Sequence, residues 1–116
     1  MVHLELALDC VDVDAQAVFW AGALGYNQTG AAGQYRKLSP AAGNQGPNLV
    51  LQEVPEPKTT KIRLHLDLVV DDTDAEVARL VGLGAARVDG ELFEEHGHRW
   101  IAMTDPEGNE FCVCAC

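Results

Sequence analysis

The sequence predicts an α+β fold built from two tandem βαβββ modules. The leading observation is an internal repeat, in which residues 3–8 align with residues 63–68 and the stretches that follow stay in step. Asp-rich segments come next in both halves, and a single skipped residue then brings Leu24-Gly25 onto Leu83-Gly84. A period of about half the chain indicates that one structural unit occurs twice within the 116 residues.

The segments that open the two halves are predicted to be strands. Residues 3–9 and 63–68 alternate strictly between leucine and other, mostly polar residues. Alternation with period two is the signal of a strand with one apolar face. The leucines therefore share one face, and Glu5, His65 and Asp67 lie on the opposite face.

A helix is predicted after each opening strand. Asp12 and Asp72 precede the helical segments, and an aspartate there suits the N-cap and the positive end of the helix dipole. Gly25 and Gly84 stand where a left-handed residue would end each helix. The predicted buried stripes consist of Ala17, Trp20, Ala21 and Leu24 in the first helix and Val77, Leu80 and Val81 in the second.

Six further strands complete the modules, and they are predicted at residues 26–29, 34–38, 48–54, 86–89, 99–104 and 110–114. Residues 105–109, Asp-Pro-Glu-Gly-Asn, have the composition of a turn between the last two strands. Two prolines within residues 55–61 predict an extended linker. We therefore expect a single domain, 1–116, with a first module at 1–54 and a second at 62–116.

Composition argues against several classes of function. The formal net charge is -10 and the 8 Lys and Arg residues are scattered, which argues against nucleic-acid binding. No run of about 20 apolar residues and no secretory leader is present, so we expect a cytoplasmic protein without membrane partners. The 4 cysteines need no disulfide scaffold, and Cys10, Cys114 and Cys116 are predicted to be small buried or half-buried thiols.

Three motifs carry a resemblance to a known family. They are the end of the first helix at residues 19–26, the strand and its Asp-rich exit at 64–72, and the turn DPEGNEF at 105–111. With the paired βαβββ pattern, the sequence resembles the vicinal oxygen chelate (VOC) superfamily, which includes glyoxalase I and the bleomycin-resistance proteins. The resemblance implies a glyoxalase-like fold, a curled mixed sheet around a cleft, with the leucine faces under the helices.

The resemblance also implies where a divalent metal would bind. In metal-dependent members, one ligand comes from the first strand of each module and further ligands, typically carboxylates, come from the last strands. These positions fall on Glu5, His65 and Cys112. In the fourth strand the position falls within residues 49–51 or on Gln52, and none of these is a carboxylate. The ligand set implied by the resemblance is incomplete, and its thiolate would favour zinc over magnesium or manganese.

Three interpretations of these residues are open at the level of sequence. In the first, Glu5 and His65 form a hydrogen-bonded pair in a cleft without a cofactor, and Cys112 is a small apolar neighbour. In the second, the three residues hold a divalent metal. In the third, no metal binds and His65 or Glu5 acts as a general base, which makes both of them catalytic candidates.

Other residues are assigned by their position in the predicted strands. Asp67, Gln52 and Trp100 join Cys112 as candidates for contact with a ligand in the cleft. The His-Gly-His run at 96–98 lacks the helical spacing that aims two rings at one ion, so a solvated loop is predicted there.

The expected function is binding of a small organic ligand, with enzyme-like chemistry of the isomerase, lyase or transferase type. The alternative is a non-catalytic protein that sequesters a drug or natural product, as bleomycin-resistance proteins do. The resemblance further implies a homodimer, because many members with two modules complete their clefts across a subunit interface.

Overall fold

The computed structural model describes residues 1–95 and 97–115 of the chain. Its elements follow the order βαβββ twice, which confirms the predicted α+β fold class. The chain divides into two units, Met1–Pro57 and Lys58–Cys116. The first unit contains β1 (Glu5–Cys10), α1 (Val13–Leu24), β2 (Tyr26–Ala32), β3 (Tyr35–Pro40) and β4 (Asn48–Glu53). The second contains β5 (Asp67–Val69), α2 (Thr73–Leu83), β6 (Ala86–Glu95), β7 (His98–Thr104) and β8 (Glu110–Ala115).

Both units have the same sheet topology. The strand order is β1-β4-β3-β2 in the first sheet and β5-β8-β7-β6 in the second. In each sheet the first strand of the unit pairs in parallel with the last strand, and the other neighbours are antiparallel. The repeat in the sequence is therefore a repeat of topology, with one helix for each mixed four-stranded sheet.

The helices begin and end where the sequence predicts. The carboxylates of Asp12 and Asp72 each accept a hydrogen bond from the backbone N–H three residues later, at 3.1 and 3.0 Å. Gly25 (φ 68°) and Gly84 (φ 118°) end the helices in the left-handed region, which residues with a Cβ rarely adopt. Within the described part of the chain, neither helix combines the length and the apolar character that crossing a bilayer requires.

α1 covers one face of the first sheet with two aromatic side chains. Phe19 and Trp20 are each 1% exposed, and their rings meet edge to face with centroids 5.1 Å apart. This is a favourable geometry for an aromatic pair. The sheet side of the same core includes Leu38, Leu49 and Leu51, all of them buried.

α2 packs a smaller apolar surface against the second sheet. Val77 and Leu80 are its buried hydrophobic residues. The sheet supplies the aromatic ring of this core through Phe111, which is 1% exposed. The other buried residues on the sheet side include Leu68, Ile101, Met103 and Val113.

Three positions predicted to be apolar and inward-facing are exposed. Leu4 and Leu64 precede the first residues of β1 and β5 and are 62% and 71% exposed, so the predicted strands start too early. Val81 is 49% exposed. It lies outside the buried stripe of α2 because that stripe follows helical spacing through Thr73, Val77 and Leu80.

Each sheet has a second face that points away from its helix, which we call the open face. Strand register places Glu5, Ala7, Asn48 and Val50 on the open face of the first sheet. On the open face of the second sheet it places Asp67, Trp100, Ala102 and Cys112.

Ion pairs on the opposite faces support this assignment. Arg36 on β3 reaches Asp14 in the first turn of α1, with 2.9 Å between Nε and Oδ1. In the second unit, Arg99 on β7 reaches Asp74 in the first turn of α2, with 3.2 Å between Nη2 and Oδ1. The strand positions that alternate with these arginines therefore lie on the open faces.

The turn between β7 and β8 is organised by Asp105, which is 3% exposed. Its Oδ1 accepts hydrogen bonds from the backbone N–H groups of Glu107 and Asn109, at 2.9 and 3.0 Å. Its Oδ2 accepts a third from Nδ2 of Asn109 at 2.9 Å. Gly108 supplies the positive φ of 89°, so the segment forms the turn that the sequence predicts.

Candidate functional site

Three side chains of different chemistry meet on the open face of the second sheet. Asp67 on β5 pairs in register with Cys112 on β8, and His65 precedes Asp67 by two residues. Nδ1 of His65 lies 3.3 Å from Oδ1 of Asp67. One nitrogen, one carboxylate oxygen and one sulfur from the three side chains all lie within 4.8 Å of one another. We call this group the His–Asp–Cys cluster.

Strand geometry explains why these residues come together. Neighbouring strands lie about 4.8 Å apart, so paired residues such as Asp67 and Cys112 project side by side from the same face. Residues two apart along an extended chain also project to the same side, which brings His65 next to Asp67. The segment that leads into β5, β5 itself and β8 thus bring their functional groups close together.

The cluster is accessible from solvent. The side chains of His65 and Asp67 are 44% and 48% exposed, and Cys112 is half-buried. A small molecule or an ion can therefore reach all three groups without disturbing the buried residues of the second unit. The arrangement offers a ring nitrogen, an anionic oxygen and a thiol to whatever binds there.

An aromatic surface lies beside the cluster on the same open face. Ala102 on β7 pairs with Cys112, and Trp100, two residues earlier, pairs with Cys114. The ring of His98 stacks on that of Trp100, with centroids 5.6 Å apart and an interplanar angle of 25°. The open face therefore combines the polar groups of the cluster with a half-buried pair of stacked rings.

The solvated loop predicted at 96–98 is partly wrong. β7 begins at His98, which is half-buried and stacked on Trp100. The strand extends this far because Gly97, at φ 78°, provides the turn that precedes it. His96 and Cys116 lie outside the described residues. Cys10 and Cys114 are buried cysteines, as the sequence predicts.

Glu5 lies in the first unit and its carboxylate has partners there. Its Oε2 accepts a hydrogen bond from Nδ2 of Asn48 at 2.9 Å and lies 3.5 Å from Nζ of Lys37. The hydrogen bond from Asn48, helped by the charge on Lys37, lowers the pKa of Glu5 below its usual value. These contacts favour an anchored anion, and an acid of lowered pKa is a weaker base once ionised. The predicted hydrogen bond between Glu5 and His65 would join the two units and stays a prediction.

The structure identifies which residue of the fourth strand corresponds to Cys112. Ala7 pairs with Val50 in the first sheet, as Asp67 pairs with Cys112 in the second. Val50 therefore occupies the equivalent position and has no ligand atom in its side chain. Gln52 lies two residues further along β4, where it pairs with Asp9 on β1.

Sequence reasoning missed the role of Glu110, which shares the open face with Cys112 by strand parity. Nζ of Lys58 lies 2.6 Å from Oε1 of Glu110, and the backbone N–H of Ile62 donates to Oε2 at 3.3 Å. Burial alone would raise the pKa of Glu110, but the hydrogen bond and charge of Lys58 and the backbone donors hold it below the usual value. Glu110 thus ties the end of the linker to β8.

The sequence also contains a local signal that places Asp67 next to His65. Asp67 is predicted to contact a ligand in the cleft, and in the structure its carboxylate lies 3.3 Å from Nδ1 of His65 and within 4.8 Å of the sulfur of Cys112. The spacing His-x-Asp in an extended chain places both side chains on one side, which is enough to predict that they lie close together.

The family model for a glyoxalase-like domain matches residues 5–114. None of the curated proteins compared with the chain matches it.

Several solved structures share the fold. A glyoxalase/bleomycin resistance protein/dioxygenase family enzyme from Burkholderia phytofirmans PsJN is 17% identical with a TM-score of 0.79, covering 96% of this chain and 95% of that chain. The hypothetical protein SA1046 from S. aureus is 19% identical with a TM-score of 0.72, covering 100% and 95%. The fosfomycin resistance protein FosX from Listeria monocytogenes is 13% identical with a TM-score of 0.79, covering 100% and 93%. At these identities the likeness concerns the fold.

Proposed function

The chain belongs to the glyoxalase-like domain family, and on that premise we propose that it binds a small organic molecule on the open face of its second sheet and transforms it. The observation that carries this proposal is the position of the His–Asp–Cys cluster beside the stacked rings of His98 and Trp100. Small-molecule sites combine apolar and aromatic lining with a few convergent polar groups, and this face offers both.

The two parts of the face suit different parts of one molecule. Trp100 presents an apolar ring surface against which a planar or aliphatic portion packs. Ala102 pairs with Cys112, and its small side chain leaves room above the strand for the rest of the molecule. A carbonyl or hydroxyl group of that molecule would then lie at the His–Asp–Cys cluster.

The chemistry that the cluster supports is activation of a bound oxygen. Groups fixed before the reaction at the place where negative charge develops stabilise a transition state strongly. Polarisation of a carbonyl makes the proton on the adjacent carbon easier to remove, which is the first step of many isomerase and lyase reactions. His65, oriented by Asp67 at 3.3 Å, is the residue through which we expect this effect to act.

Hydrogen exchange tests the proposal. The full chain is incubated in D₂O with a panel of α-hydroxyketones and hemithioacetals of α-oxoaldehydes, and deuterium incorporation next to the carbonyl is followed by ¹H NMR. We expect exchange in at least one compound and a loss of about 100-fold or more in His65→Ala. His3→Ala is the matched control, because His3 lies on an exposed segment of the first unit and should leave the rate unchanged.

A second candidate function is sequestration of a planar drug without chemistry, which the stacked rings of His98 and Trp100 favour. Tryptophan fluorescence titration with bleomycin as the probe separates the two. Binding that depends on Trp100 but not on His65, with no exchange in any compound, would support sequestration and contradict the enzymatic proposal. The homodimer implied by the family resemblance stays a prediction.

A further inference from the structure

We propose that His65, Asp67 and Cys112 form a zinc site contained within the second unit. The inference deepens the proposed function, on which it rests, because it names the ion that would polarise an oxygen bound at the same cluster. Its test is metal binding itself, so it can fail while small-molecule binding on this face persists.

The donor set is the first argument for zinc. Zinc takes imidazole nitrogen, thiolate sulfur and carboxylate oxygen, and the cluster offers one of each. Magnesium, calcium and manganese favour sites made of oxygen ligands, so the sulfur of Cys112 disfavours them. Both half-exposed ligands, His65 and Asp67, reach solvent, which gives an ion a path to the site.

The spacing of the donors is the second argument. In a tetrahedral zinc site with bonds of about 2.0 to 2.3 Å, the donor atoms lie about 3.5 Å apart. The three candidate atoms lie within 4.8 Å of one another, and the His65 nitrogen already lies 3.3 Å from the Asp67 oxygen. Small rotations of the two exposed side chains toward Cys112 would complete the geometry, because Cys112 is fixed on the paired strand β8.

The number of ligands is the third argument. Three protein ligands leave the fourth position of a tetrahedral ion free, as in catalytic zinc sites. Glu110 is the nearest carboxylate along β8 on the same face, but it is held by Lys58 at 2.6 Å and by the backbone of Ile62. The fourth position is thus left to a solvent molecule or to the oxygen of the bound compound.

The site differs from the one that the family resemblance implies, in which both modules supply ligands. Glu5 has its own partners in the first unit, Asn48 and Lys37. Val50 has no donor at the position equivalent to Cys112. Asp67 replaces these missing ligands from within the second unit.

Zinc titration of the full chain tests the inference. Metal is removed with a chelator, and zinc is returned in competition with a chromophoric chelator while bound zinc is counted by elemental analysis. We expect one zinc per chain in the wild type, and affinities more than about 100-fold weaker in Cys112→Ser, His65→Ala and Asp67→Asn, because loss of a direct ligand exceeds the effect of an outer-shell change. Cys10→Ser and His3→Ala are matched controls and should bind zinc as the wild type does.

Cobalt provides a spectroscopic readout of the sulfur ligand. Co²⁺ bound to the wild type should show thiolate-to-cobalt charge-transfer absorption in the near ultraviolet, which Cys112→Ser should lose and Cys10→Ser should keep. Serine is close in size to cysteine, and circular dichroism of each variant verifies that the fold is retained.

Three outcomes would overturn the inference. They are a wild type that binds no zinc, a Cys112→Ser variant that binds zinc with unchanged affinity, and loss of zinc in Glu5→Gln, which would assign a ligand to the first unit. Retained zinc binding in Glu5→Gln supports the site as proposed. Trp100-dependent binding of a small molecule without zinc would leave the proposed function standing and remove the metal from it.

Discussion

Ala7 and Val50 are paired on neighbouring strands of the first sheet, and the equivalent pair in the second sheet is Asp67 and Cys112. Two inert side chains thus stand where the other unit has a carboxylate and a thiol. Topology, caps and helix ends are the same in both units. The comparison teaches that the scaffold and the chemistry of this protein vary separately, because open-face residues contribute little to the packing beneath the helices.

The helices differ in the size of the side chains that they bury, and here the first unit has the larger ones. α1 buries two aromatic rings, Phe19 and Trp20, whereas the buried apolar residues of α2 are Val77 and Leu80. The first helix therefore brings the bulkier side chains to its core, and the second unit has the more reactive open face. Substitutions in the two units can test this difference.

The largest expected effect concerns the two helices. Trp20→Ala should destabilise the protein by about 4 kcal/mol, because it removes a fully buried ring and leaves a cavity beside Phe19. Leu80→Ala in α2 should cost about 3 kcal/mol, since the side chain it removes is smaller. Urea unfolding followed by far-ultraviolet circular dichroism measures both free energies of unfolding.

Val18→Ala is the control for the first helix. Val18 is 75% exposed on α1, so its truncation should change the free energy of unfolding by no more than about 0.5 kcal/mol. If Leu80→Ala lowers the free energy of unfolding more than Trp20→Ala does, the larger buried side chains of the first helix do not give it the larger share in stability.

A smaller effect is expected at the connections between the last two strands of each unit. The buried carboxylate of Asp105 accepts three hydrogen bonds, so Asp105→Ala should cost about 2 kcal/mol by leaving its donors unpaired. In the first unit, the hydroxyl of Tyr26 donates one bond to the carbonyl of Pro47 at 2.9 Å, and Tyr26→Phe should cost about 1 kcal/mol. Thermal unfolding of both variants measures the two losses of stability. Equal losses would show that the two connections are held with similar strength.

Much of the scaffold was predictable from the sequence because its signals are local. An aspartate before a helical segment and a glycine after it predict the ends of both helices, and alternation predicts the strands. The starts of β1 and β5 were not predictable, since Leu4 and Leu64 continue the alternation beyond the paired strands. Alternation of leucine with polar residues indicates the face on which each side chain lies. Where a paired strand begins depends on the neighbouring strand as well.

The candidate site was less predictable because it depends on register between distant strands. His65 and Cys112 are identified through the family resemblance, while the proximity of Cys112 to Asp67 follows only from the pairing of β5 with β8. Glu110 was missed for the same reason, because its lysine partner lies in the linker, 52 residues earlier in the sequence. Side-chain contacts over such separations follow from the fold and leave no local pattern.

The smallest expected effect distinguishes two carboxylate–lysine pairs by their burial. Glu110 and Lys58 lie 2.6 Å apart with side chains only 23% and 22% exposed, whereas Glu5 and Lys37 lie 3.5 Å apart and are more exposed. Water screens the second pair more effectively. The pKa values of both carboxyl groups are lowered in the folded state, so each group binds its proton more weakly there than in the unfolded chain.

The sign of the pH dependence follows from this direction. The stabilisation is fully present above the unfolded pKa, near 4.5, and is lost as the pH falls through the lower folded pKa. Glu110→Gln should therefore flatten the acid side of the stability profile more than Glu5→Gln does, and the effect of Glu110→Gln should stay below about 1 kcal/mol. Urea unfolding at a series of pH values from 7 downwards, about 0.5 apart, measures this. A larger flattening in Glu5→Gln would contradict this order. It would mean that burial, which raises the pKa of Glu110, offsets more of the effect of Lys58 than water screening removes at Glu5.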